Sequence, residues 1–171
     1  MLATDLLRQL KRAQGVMAGS WQPAWITADI AVSSAPAAHH RRELLAAGVT
    51  SMVDLRDGQR AGHQLDDESA GAIVRMNVPT REGLSPSPPQ LDSLTAWVKA
   101  RIEHGRVLIY CREGRGLNDL VACATLVRMG FSAAAAYALA SQNHRRMHLS
   151  DVQYQALQSF AHSWESLEKG T

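Results

Sequence analysis

The segment from Arg106 to Gly130 constrains the fold of this chain more than any other. It opens with a short apolar run, Arg106-Val-Leu-Ile-Tyr110, and passes through Cys111-Arg-Glu-Gly-Arg-Gly116. It ends in Asn118 to Met129, which is apolar nearly all round (Leu120, Val121, Cys123, Leu126, Val127). A brief apolar run of this kind is a strand covered on both faces, as in the centre of an α/β sheet. A helix without a polar face is buried. The connecting loop, with glycines at 114 and 116, aims several backbone N–H groups at one point beside the positive end of a helix dipole, where an anion is stabilised without any side chain. The same field lowers the pKa of a cysteine at the loop mouth. A thiolate beside an anion cradle is what a phosphate-ester nucleophile requires.

The rest of the chain supplies partners for that strand. Alternation predicts an edge strand over Ala24 to Val32, and strands follow at Val49 to Leu55 and Ala72 to Val78. Helices are expected at Ala37 to Ala47, stopped by Gly48, at Gln90 to His104, stopped by Gly105, and at Ala133 to Ser141 and Ser150 to Glu168. The polar stretch Arg56 to Gly71 has little periodicity. Pro79 to Pro89 holds four prolines and a glycine, which excludes regular structure there. With 171 residues, 46% of them hydrophobic, the chain suits one compact domain. Strands alternating with helices, then helices to the end, define a single α/β domain with a central, mostly parallel sheet of four to five strands flanked by helices.

Charge and cysteine usage exclude several function classes. A net charge of +2 makes no case for nucleic acid, and the clusters Arg41-Arg42 and His144-Arg145-Arg146 are expected on a solvated surface. No run approaches the length needed to span a membrane, and the first 14 residues lack an apolar stretch of signal-peptide length, so a cytoplasmic setting is the expectation. Residues 1–15 (Leu2, Leu6, Leu7, Leu10 at helical spacing) are expected to form an amphipathic helix and a possible contact site for a partner or second copy; the oligomeric state is open. Cys123, on an apolar helix, is expected to be core. None of the histidines, among them His39, His40, His144 and His148, pairs with an acidic cluster at metal-ligand spacing, so no metal is expected, and no other cofactor.

Against this background most of the chain, from Trp25 to Trp164, resembles the atypical dual-specificity phosphatases. Their signature is His-Cys, five residues, then Arg and Ser or Thr. The resemblance runs through Ile26 to Pro36 (ITADIAVSSAP), Leu44 to Arg56 (LLAAGVTSMVDLR), Asn77-Val78-Pro79 and Cys111-Arg112-Glu113-Gly114-Arg115-Gly116. It implies a cysteine-phosphatase-like domain over 24–168, Cys111 as nucleophile, an anion-binding loop of Arg112, Glu113, Gly114, Arg115, Gly116, Leu117 and Asn118, and phosphate or a phosphorylated ligand or protein as partner.

Residue by residue, the chemistry of that family is altered here. Tyr110 stands for the histidine before the cysteine, Leu117 for the arginine, and Asn118 for the hydroxyl residue after it. In the family the arginine grips two phosphate oxygens as a fork, which leucine cannot do. An aspartate general acid belongs in the loop after Val78-Pro79, where only Glu82 carries a carboxylate; Asp92 lies on the next helix. The leading reading is a degenerate, pseudophosphatase-like domain that holds an anion better than it reacts with it. Two alternatives stay open. One is an active phosphatase with a rearranged site, Glu82 or Asp92 as acid and Arg115 as clamp. The other is a rhodanese-like sulfurtransferase, which the sequence Tyr110-Cys111-Arg112-Glu113-Gly114-Arg115 also resembles.

Overall fold

In a computed structural model of the chain, which describes residues 21–58 and 73–170, the sheet has five strands in the order β1-β2-β5-β3-β4. These are β1 (Ala24–Trp25), β2 (Ile30–Ser34), β3 (Val49–Arg56), β4 (Val74–Thr80) and β5 (Arg106–Cys111). Strand β5 is central, parallel to both β2 and β3. β4 runs parallel to β3, and β1 alone is antiparallel, on β2. The helices are α1 (Arg41–Ala46), α2 (Pro88–Arg101), α3 (Leu117–Arg128), α4 (Ala133–Asn143) and α5 (Asp151–Lys169). The expected helix at residues 1–15 lies outside the described residues.

Strand alternation splits β5 between two cores. Val107, Ile109 and Cys111 face a larger core with Leu91, Leu94, Leu117, Leu120, Leu126 and Leu157, beneath α2 to α5. Leu108 and Tyr110 face a smaller one with Trp25, Leu44, Val49 and Met52, beneath α1. Helix α3 is buried from Leu117 through Val127, as its all-round apolar sequence requires. It packs on α2, α4, α5, β2 and β5.

Two sequence expectations need correction. The single strand over Ala24 to Val32 is a hairpin: the Thr27 hydroxyl accepts from the N–H groups of Asp29 and Ile30 (both 3.1 Å), turning the chain between β1 and β2. The edge role falls to β1, and β2 is interior. His144 does not belong to a solvated basic cluster. It is 9% exposed, with Nδ1 2.8 Å from Oδ1 of the fully buried Asp119. No helix among the described residues is long and apolar enough to cross a membrane, and no group of three or more potential metal ligands occurs among them.

Candidate active site

The loop from Cys111 to Gly116 leaves the carboxyl end of the central strand and enters α3, the position at which open α/β sheets bind ligands. Its two glycines have φ of 72° (Gly114) and 81° (Gly116), a region that side chains disfavour. Gly114 has a second constraint. A Cβ there would lie 2.5 Å from the Ser34 nitrogen, so only glycine lets the loop pack against the end of β2. The first turn of α3 is tied to the same strand, with Asn118 Nδ2 donating to Ser33 O at 3.0 Å.

Cys111 is fully buried. Its Sγ lies 3.5 Å from Arg115 O and faces the backbone N–H groups of Asn118, Gly114 and Arg115. Those donors favour the thiolate, as the sequence predicts, but burial outweighs them and the Glu82 charge adds to it. The thiol is pushed up to about 11 instead of down. Cys123, in the core as expected, is pushed up to about 12, first by burial and then by Asp119.

Leu117 is fully buried within the larger core. Both loop arginines turn to carboxylate partners at the surface. Arg115 is half exposed, with its Nε 3.6 Å from the Glu113 carboxylate. Arg112 is exposed and reaches Asp57 O at 3.3 Å and Asp57 Oδ1 at 3.4 Å. The inward swing of Arg115 that a rearranged active site needs is therefore not the conformation adopted.

The carboxylates fall unevenly. Glu82 is brought to the loop, where its Oε1 accepts from Arg112 N at 2.8 Å and Glu113 N at 3.4 Å. Asp92 is not: its carboxylate pairs with Arg128, at the far end of α3, about 16 Å along the helix from its first turn. Asp92 is thus held at the opposite end of α3 from the Cys111 loop. A third carboxylate escaped the sequence reading. Asp119 Oδ2 accepts from Gly116 N at 2.7 Å, while its Oδ1 meets His144. The signal for it was an acidic residue in the first turn of a helix, where it satisfies an otherwise unpaired N–H. The Leu117 N–H is also spent locally, on Arg115 O at 3.1 Å. Part of the expected backbone cradle is thereby occupied by the chain itself.

Tyr110 points to the opposite face of the sheet from Cys111. There its hydroxyl bonds to the buried Asp54, which also holds Arg56 through two contacts of 3.0 and 2.8 Å. Burial first, then Asp54, raises the tyrosine well above its ordinary pKa. It braces the strand that ends in Cys111 and takes no part in the loop. A cavity of about 670 Å³ lies elsewhere, between the start of α2 and helix α5, lined by Leu91, Ala156, Phe160 and Trp164 among others.

A mostly parallel sheet whose central strand ends in a buried cysteine, a glycine loop and a buried helix is the arrangement expected of a cysteine phosphatase. The chain belongs to the family described as Tc-R-P, polymorphic toxin system, DSP-PTPase phosphatase, whose model matches residues 27–131. No curated protein matches it. Among solved structures it is similar to Tk-PTP in its active form, at 23% identity over 85% of this chain and 99% of that one, with a TM-score of 0.74. Human DUSP28 is 22% identical over 86% of this chain and 99% of its own, with a TM-score of 0.72. A mouse dual-specificity phosphatase crystallised with zinc tungstate is 20% identical over 90% of this chain and 95% of its own, with a TM-score of 0.78. These structural likenesses concern the fold. Family membership, together with helices instead of a returning strand after α3, leaves the sulfurtransferase reading without support.

Proposed function

We propose that this DSP-PTPase domain is a catalytically impaired phosphatase, whose Cys111 loop takes phosphate or a phosphorylated partner without turning it over efficiently. The observation that carries this reading is Leu117, fully buried at the position where the family's arginine would clamp the phosphoryl oxygens. Two further features support it. The Cys111 thiol, pushed up to about 11, leaves roughly 10⁻⁴ of it as thiolate at pH 7. Arg115, the nearest replacement for the clamp, turns to Glu113 instead. Glu82 at the loop mouth keeps alive a second reading, a slow phosphatase in which that carboxylate protonates the leaving oxygen. A small aryl phosphate discriminates. The wild-type chain is expected to hydrolyse it far below the ~1 s⁻¹ that marks ordinary enzymes, and turnover at or above that level overturns the impaired reading.

A further inference from the structure

Glu82 is placed by its surroundings, not merely near the loop by chance of sequence. It occupies the second position of a turn closed by Leu84 N donating to Arg81 O at 3.1 Å, with Gly83 at φ 80° in the third position. Helix α5 pins that turn from outside. The Ser150 hydroxyl donates to Gly83 O at 2.8 Å, and Gln153 Nε2 donates to Leu84 O at 3.0 Å. Gln153 also borders the loop itself: a Cβ on Gly116 would stand 3.1 Å from its Oε1. One polar side chain thus spans the Glu82 turn and the Cys111 loop.

Held in this way, the Glu82 carboxylate accepts the first two backbone N–H groups after Cys111. Those are donors that an oxyanion entering the loop would use, alongside the Gly114, Arg115 and Asn118 N–H groups that face the sulfur, since Gly116 N is bound to Asp119. The negative charge of Glu82 is also felt by Cys111, whose thiol it helps to keep protonated. We propose that Glu82 is the resident ligand of the loop: its carboxylate fills the place of an incoming oxyanion, which enters by displacing it. This rests on the anion-site reading above, and adds that the site is held closed from within.

The test uses the full chain with Glu82→Ala and Glu82→Gln. Amide hydrogen exchange at Arg112 and Glu113 reads the contact without any added anion. It is expected to speed up about tenfold or more in Glu82→Ala, and less in Glu82→Gln, which keeps a neutral acceptor. Titration with inorganic phosphate is expected to give binding about tenfold or more tighter in Glu82→Ala than in wild type. Unchanged exchange at both amides, or the same phosphate affinity in wild type and variants, overturns the proposal. Accelerated exchange with phosphate bound by none of the proteins supports Glu82 as the loop's ligand and overturns the anion-site reading instead.

Discussion

At the scale of single residues, the proposed function turns on two positions. Cys111 stands where local rules would lower a thiol pKa, and three backbone N–H groups do face it, yet full burial wins and pushes it up to about 11. Because the thiolate is the reactive form, alkylation by iodoacetamide is expected to be slow at pH 7 and to climb about tenfold per pH unit until about 11. Mass spectrometry of Cys111 across that range checks it; a plateau near pH 7 would contradict the raised value. Leu117 is the other position. Leu117→Arg with Asn118→Ser is expected to raise aryl phosphate turnover by about 10³-fold or more, the scale of a guanidinium's contribution to phosphoryl transfer. A stability loss of about 3–5 kcal/mol is the outcome if the new guanidinium stays buried without a partner. A folded double variant with no gain in turnover, its Cys111 alkylated as fast as an ordinary thiol, would count against Leu117 as the clamp position.

At the scale of elements, the site is assembled from four pieces: the end of β5, the first turn of α3, the turn after β4 and the start of α5. The last of these has no role that its sequence announces beyond a helix start. Ser150 accepts from Gln153 N at 3.2 Å as the cap of α5, and the same hydroxyl donates to Gly83 O. Ser150→Ala is therefore expected to do two things. It should lower stability by about 1 kcal/mol, the usual worth of such a cap, in a urea unfolding curve. It should also loosen the Glu82 turn, seen as faster amide exchange at Leu84. A stability loss without that local response would separate the cap from the turn.

At the scale of the whole molecule, the buried thiols make stability fall in alkali. Cys111 and Cys123 keep their protons to about 11 and about 12 in the folded protein, against an ordinary value of 9.0 once unfolded. Tyr110 is shifted in the same direction from 10.0. The folded state then binds more protons than the unfolded one above pH 9. Stability from these groups is present below that pH and is lost as pH rises through the folded values. Each thiol steepens the fall by about 1.4 kcal/mol per pH unit where it is ionised only in the unfolded chain. Urea unfolding of wild type and Cys123→Ala from pH 7 to 10.5 is expected to show the smaller slope in the variant, whatever constant offset the substitution adds.

The sequence by itself determined the central strand, the glycine loop and the buried helix of the segment 106–130, because burial on both faces and a left-handed glycine are written in residue type and local period. It also puts Leu117 six residues after Cys111, where the family resemblance implies arginine. What only the tertiary structure decided was how the remaining groups are used. The thiol follows burial over the helix dipole, since the loss of water around Cys111 exceeds the pull of a few N–H groups. His144 and Asp119 meet across two helices, and Asp92 is drawn to Arg128, through separations in sequence that no local pattern records. Glu82 reaches the loop because a turn and a distant helix cap hold it there. Its distance from Arg112 is set by packing, which acts between residues far apart in the chain.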